Sequence, residues 1–460
     1  MDSSLKVPPK ARDIFTSKLG VIAATLGSAV GLGNIWKFPS LTGTNGGAAF
    51  LIVYLASTLL VGLPAMIAEL MIGRSARANA VDAMVKESPD KKKPWWLVAA
   101  AGVLAAFLIM AFYTEVAAWV FAYIFKSVSG SILSTDPAVT SKAFTDLITN
   151  PLQSLVWQWV VLAMITVIII KGASKGIERT TSRLMPILFL ILIAICIRSL
   201  TLPGASQGLA FLFKPDFSKI TASVILTAVG LSFFKLSTGM GTMITYGSYF
   251  REDQKIVGTA ARVMLADLLV SLLAGMAIFP AVFAFGFQPD AGPSLLFITI
   301  PAVFASMPFG NVFMVLFFIL AAIAATGAML SLLEVPVAFL EERFSMPRKR
   351  ATISVSVLLA LIGSTAALSS STLADVGIFG KNFFDLYDFI SSNILLPLGG
   401  MFITIFAGWV WGFGKVQETL SNKGALDNQP VIKALFFIIR FVTPVLLFVV
   451  LLSGLKIITF

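Results

Sequence analysis

Two stretches of this chain place glycines and polar side chains in the middle of long apolar runs. The first reads GSAVGLGN at residues 27–34, and the second reads FFKLSTGMG at residues 233–241. A membrane helix that is interrupted at such residues exposes backbone carbonyls and helix ends, which bind ions and zwitterionic solutes at the bilayer centre. The alternative is an unbroken helix whose small residues allow close packing against a neighbour. We expect two broken helices.

The sequence around these segments has the composition of an integral membrane protein. Hydrophobic residues make up 57% of the 460 positions and charged residues 12%. Crossing a bilayer takes about 20 apolar residues per helix, and lipid requires backbone groups to pair within the helix. We therefore predict an all-α protein with eleven spans, at residues 15–41, 47–73, 95–126, 153–171, 182–201, 219–247, 257–286, 310–342, 350–368, 384–413 and 432–458. Residues 127–152 are predicted to form a polar external loop, and the proline-rich residues 287–309 a re-entrant or surface hairpin.

The basic residues lie mainly in short loops between these spans. They cluster within residues 74–93, 171–183 and 343–350, so the net charge of +11 does not predict binding to nucleic acid. The positive-inside rule makes these loops cytoplasmic. We expect a multi-pass protein of a plasma membrane, such as a bacterial inner membrane, with the N-terminus in the cytoplasm.

The inventory of reactive side chains argues against catalysis. The chain has no histidine, which is the commonest metal ligand and general base, and its one cysteine, Cys196, has no partner for a disulfide within the chain. We therefore expect no enzyme activity, no metal site and no organic cofactor. The two interrupted spans, in positions one and six, fit a five-plus-five inverted repeat instead. The predicted plan is a single transporter domain over residues 1–460, with repeats at about 12–201 and 219–413 and an extra helix at 432–458.

Several motifs resemble those of the neurotransmitter:sodium symporter family, in its eleven-span bacterial branch with the leucine-transporter fold. They are residues 27–34, WKFP at 36–39, NGG at 45–47, ITYGSY at 244–249 and SLLE at 331–334. The resemblance extends from Arg12 through the eleventh span. It implies a secondary-active transporter that works by alternating access, with helices 1 and 6 broken.

The resemblance also implies a substrate pocket formed by four spans. Its members would be Ser28, Ala29, Leu32, Gly33, Ile109, Tyr113, Phe234, Lys235, Ser237, Met240, Ala328 and Leu332. Monoamine carriers of the family have an aspartate at the position of Gly31, which pairs with the amine of a substrate that lacks a carboxylate. The glycine implies a substrate that brings its own carboxylate, and hence an amino acid. Neither the particular amino acid nor the oligomeric state follows from the sequence.

The family closes its pocket with two charged gates. The outer gate would be Lys37 with Asp388, and we expect it to be looser than usual because lysine lacks the bidentate fork of arginine. The inner gate would be Arg12 with Glu342, near Tyr249.

The ion sites depart from the family pattern. The first sodium site would comprise Ala29, Asn34, Lys235 and Asp267, where the family has threonine and asparagine at the last two positions. An ammonium in the bilayer centre needs a partner. We therefore expect Asp267 to pair with Lys235, whose ammonium would replace the sodium ion and meet the substrate carboxylate.

The second sodium site lacks its hydroxyl ligands. Its backbone positions would be Gly27, Val30 and Ala324, while Gly327 and Ala328 stand where the family has threonine and serine. Hard cations need oxygen ligands, so sodium binding here is doubtful unless a shift in register restores Thr326. Chloride is not expected either, because Leu231 and Lys235 replace two polar ligands of that site.

Three hypotheses follow. The first is an amino-acid transporter with sodium coupling lost or weakened, which is either proton-coupled or facilitative. The second is a conventional sodium:amino-acid symporter, and the third is a sensor or scaffold on the same fold that no longer transports.

Overall fold

Long apolar helices dominate the protein. The computed structural model describes residues 12–287 and 295–458. Nine helices in these ranges are long and apolar enough to cross a membrane without a sharp bend. In chain order they are Ala48–Ala76, Trp96–Val128, Pro151–Ile169, Ala173–Leu200, Ile256–Ala284, Gly310–Arg343, Arg348–Ser370, Phe383–Leu420 and Gln429–Gly454.

The first and sixth spans are broken, which confirms the prediction made from their glycines. The first consists of Lys18–Ala29 and Gly33–Thr44, bent by 54°. The sixth consists of Ala222–Lys235 and Thr242–Gly247, with residues 236–241 outside any helix. Within that break Gly239 and Gly241 have φ angles of 82° and 73°, which residues with a side chain rarely adopt. These two broken spans join the nine long helices at the positions of the eleven predicted spans.

Unwound backbone at membrane depth must find hydrogen bonds inside the protein. In the first break, the amide of Leu32 donates to the Tyr113 hydroxyl at 3.0 Å, and that of Gly31 donates to Asn34 Oδ1 at 3.3 Å. In the sixth break, the amide of Gly239 donates to Glu69 Oε1 at 2.5 Å. Side chains from the second and third spans therefore stabilise the two breaks.

Glycine allows the helices beside the breaks to pack backbone against backbone. A Cβ atom at Gly73, in the second span, would lie 2.8 Å from the carbonyl carbon of Ile244 and overlap its oxygen. A Cβ atom at Gly399, in the tenth span, would similarly overlap the carbonyl oxygen of Gly239. The broken sixth span is thus packed between the second and tenth spans, each of which contacts its backbone at a glycine.

Short helices replace parts of the predicted loops. The helix Pro137–Ile148 lies within the predicted loop 127–152, and Leu295–Ala305 lies within the predicted hairpin 287–309, of which residues 288–294 are outside the described residues. The helix Ala80–Glu87 also forms, and Asn79 caps it by accepting from the amides of Val81 and Asp82. A hydropathy window that detects a full span is too long to resolve such helices. The fifth span also begins earlier than predicted, at Ala173.

A substitution at Gly73 tests the close packing of the second span against the sixth span. Gly73→Ala should lower stability by about 1–3 kcal/mol, the usual range for overpacking, because the Ile244 backbone has no room for a methyl group. Gly414→Ala is the matched control, since a Cβ atom at this helical glycine meets nothing within 4 Å. Thermal unfolding of the two variants in detergent would measure the difference. Equal stability of the two would refute the close packing.

Candidate substrate and ion site

Lys235 and Asp267 form an ion pair at the centre of the protein. Lys235 is the last residue of the first half of the sixth span, and Asp267 lies on the seventh span. The ammonium lies 3.0 Å from Asp267 Oδ2, and both side chains are fully buried. The negative end of the helix dipole also favours a cation at this helix end.

Three oxygens surround the ammonium and match its three hydrogen-bond donors. Besides Asp267, the ammonium donates to the Tyr54 hydroxyl at 2.8 Å and to the hydroxyl of Ser271. Its Nζ also lies 5.0 and 5.2 Å from the ring centroids of Tyr54 and Phe38. A substrate carboxylate that binds this ammonium directly must therefore displace one of the two neutral hydroxyls.

Asn34 links the ion pair to the break in the first span. Its Nδ2 donates to Asp267 Oδ1 at 2.7 Å, and its Oδ1 accepts from the amide of Gly31. A Cβ atom at Gly33 would lie 3.5 Å from Cγ of Lys235. Three of the four residues predicted at the first sodium position, Asn34, Lys235 and Asp267, thus form one hydrogen-bonded unit that carries its own cation.

The pocket residues from different spans meet around the first break. A Cβ atom at Gly31 would lie 3.1 Å from both the Tyr113 hydroxyl and the Ala328 Cβ. Ser237 donates to the carbonyl of Ser28 at 2.8 Å, and this contact joins the two breaks directly. The remaining apolar members are buried, and Phe234, which is partly buried, packs against the core that contains them: Ala29, Leu32, Ile109, Met240 and Leu332.

One polar atom of the pocket has no protein partner. The Ser28 hydroxyl is enclosed, and no hydrogen-bond partner lies near it in the described part of the chain. Buried hydroxyls are normally hydrogen-bonded, so an unpaired one marks a position where a ligand or a water molecule fits. This position adjoins Ala29 and the Ser28 carbonyl, at the start of the first break.

The two residues predicted to form the outer gate do not meet. The Lys37 ammonium lies 4.2 Å from the ring centroid of Phe234, while Asp388 accepts from the Ser392 hydroxyl at 2.7 Å. No ion pair joins Lys37 to Asp388 in the ranges that the structure describes. Because lysine carries a compact charge on a flexible stem, it lies over the ring face instead, and in the described residues Lys37 and Asp388 do not close this side of the pocket.

The inner gate residues are in contact. Arg12 forms an ion pair with Glu342 and donates to the Ser248 hydroxyl at 2.5 Å, and its guanidinium carbon lies 4.7 Å from the Tyr249 ring centroid. Glu342 also accepts from the amide of Asn79 at 2.7 Å. The pocket is therefore closed by charged groups on the side of the chain's N-terminal segment.

Closer helix packing occupies the second ion position. A Cβ atom at Gly327 would overlap the carbonyl oxygen of Gly27 and lie 3.2 Å from its Cα, so the eighth span contacts the first span there. The Thr326 hydroxyl donates to the carbonyl of Ala322 in its own helix at 2.8 Å. The carbonyls of Val30 and Ala324 lie close in sequence to Gly27 and Gly327. Gly327 and Ala328 have no side-chain oxygen that could bind a cation together with these carbonyls.

Sequence reasoning missed three contributors to these networks. Tyr54 and Phe38 contact the Lys235 ammonium, and Arg348 donates to Glu334 at 2.5 Å beside the inner gate. Tyr54 is one of only six tyrosines and lies within an apolar span, a signal that could have drawn attention to it. Its contact with Lys235 joins residues 181 positions apart, so spacing along the chain does not reveal it.

A double-mutant cycle tests whether Lys235 and Asp267 act as one unit. Lys235→Thr or Asp267→Asn alone leaves a buried charge without its partner and should destabilise by about 3–5 kcal/mol. The two changes combined should destabilise less than the sum of the single changes, as thermal unfolding in detergent would show. The exposed pair Lys142–Asp146 is the matched control, with an expected coupling of at most about 0.5 kcal/mol. Additive effects at Lys235 and Asp267 would show that their interaction contributes nothing.

Comparisons with known proteins agree with this architecture. The sequence profile of the sodium:neurotransmitter symporter family matches residues 12–150 and 141–459. The uncharacterized sodium-dependent transporter YhdH of Bacillus subtilis is 40% identical over 97% of this chain and 98% of its own length. An uncharacterized sodium-dependent transporter of Haemophilus influenzae is 36% identical over 97% and 99%. The crystal structure of MhsT in complex with L-phenylalanine matches 96% of this chain and 100% of its own, with 43% identity and a TM-score of 0.88. The chain is a multi-pass membrane transporter that belongs to the sodium:neurotransmitter symporter family.

Proposed function

We propose that this protein transports an amino acid by alternating access and that the Lys235 ammonium takes the place of the first sodium ion. The observation that carries the proposal is the buried Lys235–Asp267 pair, whose cation is fully hydrogen-bonded between the two helix breaks. A second cation in the same few ångströms would be repelled by the ammonium. Sodium coupling at this position is therefore lost or strongly weakened.

The pocket suits a substrate with its own amine and carboxylate. Gly31 contributes no acidic side chain, and the space for one is bounded by Tyr113 and Ala328 at 3.1 Å. The Tyr113 hydroxyl accepts from Leu32 and retains its own hydrogen for a carboxylate, while the Ser28 hydroxyl has no partner among the described residues. MhsT, whose whole chain matches this protein, was crystallised with L-phenylalanine. An apolar amino acid is the substrate class that these features favour.

The gates support a carrier rather than a channel. The Arg12–Glu342 contact closes one side, whereas Lys37 and Asp388 are apart on the other. The pocket residues Leu32, Ile109 and Met240 are buried, and charged groups close the side of the N-terminal segment, which we place in the cytoplasm. Release of substrate to that side then requires the Arg12 gate to open.

The second ion position also favours independence from sodium. Contact between Gly327 and the Gly27 carbonyl leaves no room for a hydroxyl ligand, and the Thr326 hydroxyl is bound within its own helix. Without hydroxyl ligands, this position offers a hard cation fewer oxygen ligands than the family's site does. Neither ion position then contains the donor set that a sodium-driven cycle needs.

A conventional sodium symporter is the second candidate, because the relatives from Bacillus subtilis and Haemophilus influenzae are named sodium-dependent transporters. A sensor or scaffold that binds substrate without moving it is the third. Binding and flux measurements separate the three.

Replacing sodium should hardly change substrate affinity. We expect the dissociation constant of L-phenylalanine, or of the amino acid that binds best, to differ less than tenfold between sodium, potassium and choline chloride. Isothermal titration calorimetry at constant ionic strength would measure it. A dependence of tenfold or more corresponds to about 1.4 kcal/mol of coupling and would establish the conventional symporter instead.

Proteoliposomes with sodium and pH gradients imposed separately would identify the driving force. If Lys235 is charged with substrate bound and loses its proton when the pocket empties inward, an inward proton gradient should drive accumulation above equilibrium without sodium. Lys235→Thr should then abolish accumulation, whereas Lys142→Thr, at an exposed surface, should not. Equal internal and external substrate at every pH difference would identify facilitated transport, and binding without any flux would identify the sensor.

A further inference from the structure

Arg440 is a charged residue of a membrane span for which the described residues provide no hydrogen-bond acceptor. It lies within the eleventh span, and its Nε is enclosed without a hydrogen-bond partner. No carboxylate pairs with its guanidinium in residues 12–287 and 295–458. Ionisable residues at membrane depth are normally paired, so an unpaired one points to a partner from outside the chain.

Aromatic rings fix the position of this guanidinium. Its carbon lies 4.1 Å from the ring centroid of Trp409, 5.3 Å from that of Phe441 and 5.7 Å from that of Phe436. Trp409 Nε1 also donates to the Arg440 carbonyl at 3.0 Å, and a Cβ atom at Gly408 would lie 2.8 Å from the Arg440 Cα. Both spans adopt a π-helical turn here, at Phe406–Trp411 and Ile438–Val442. Such turns are frequent at functional sites.

The side chain of Arg440 is within reach of the boundary between acyl chains and headgroups. Leu447, on the same helix, packs beside Gly400, next to the contact of Gly399 with the unwound sixth span. Arg440 is seven residues from Leu447, about 10 Å along the helix. The hydrocarbon half-thickness is about 15 Å, so a long side chain that extends toward water reaches the phosphate level.

This position lies on the side of the inner gate. Trp411 Nε1, two residues beyond Trp409, donates to the carbonyl of Glu87 at 3.2 Å. Glu87 ends the helix that Asn79 caps, and Asn79 binds the gate residue Glu342. Lys433 is exposed and two helical turns from Arg440 on the same face, nearer to that surface.

We propose that Arg440, Lys433 and the ring of Trp409 form a binding site for the headgroup of an anionic phospholipid in the gate-side leaflet. The lipid phosphate would accept hydrogen bonds from the terminal nitrogens of Arg440. The ammonium of Lys433 would supply a second positive charge that attracts the headgroup. Trp409 and Phe441 are exposed on the lipid-facing surface, where acyl chains would cover them. The site is separate from the substrate pocket and does not depend on the transport mechanism.

Lipid titration of the detergent-solubilised full chain tests the proposal. Phosphatidylglycerol should bind more tightly than phosphatidylcholine with the same acyl chains, as native mass spectrometry of the bound fraction would show. Each basic residue should contribute about fivefold to the affinity for the anionic lipid, the usual effect of one charge near such a surface. Arg440→Gln and Lys433→Gln should each lose that factor, while Arg183→Gln, which changes an exposed arginine of the fifth span, should not.

Several outcomes would overturn the site. One is equal affinity for the two lipids, and another is an equal loss of affinity for phosphatidylglycerol in Arg183→Gln and Arg440→Gln. A third is displacement of bound phosphatidylglycerol by inorganic phosphate as effectively as by unlabelled lipid. If Arg440→Gln does not fold, Lys433→Gln decides, because its side chain is exposed at the membrane surface. Unchanged preference for phosphatidylglycerol in Lys433→Gln would then contradict the proposal.

Discussion

Lys235 and Asp267 hold opposite charges 3.0 Å apart in the part of the membrane where an unpaired charge is least tolerated. Insertion of one charged side chain at a helix centre costs about 2.5–3.5 kcal/mol on translocon scales, and a buried pair is stable only when its remaining donors and acceptors are satisfied. Tyr54, Ser271 and Asn34 satisfy them, from the second, seventh and first spans. The pair therefore constrains how four spans meet around the two helix breaks.

A tethered cation differs from a bound ion in one respect that matters for transport. Sodium drives a carrier because the ion binds on one side of the membrane and leaves on the other, so that its gradient shifts the equilibrium between states. The Lys235 ammonium stabilises the site electrostatically but cannot leave, and it brings no gradient energy unless its proton does. Membership in a sodium symporter family therefore does not by itself establish sodium coupling for this chain.

Local composition predicted the fold well, because glycine and polar residues at the centre of an apolar span have few physical solutions. The breaks in the first and sixth spans and the number of spans followed from it. The helices Ala80–Glu87 and Pro137–Ile148 did not, since each is shorter than a span and forms through its cap and its packing. The same limit applies to the site. The Lys235–Asp267 pair could be anticipated from two unusual charges, whereas Tyr54 and the separation of Lys37 from Asp388 depend on tertiary contacts.

Substrate binding by the Lys235→Thr and Asp267→Asn double variant tests most directly whether the ammonium stands in for sodium. This variant restores the side chains that the family has at the first sodium site and removes the tethered cation. We predict that its affinity for the substrate rises at least tenfold when choline chloride is replaced by sodium chloride, while the wild-type affinity stays constant, as measured by calorimetry. A double variant that folds and binds equally in both salts would contradict the account.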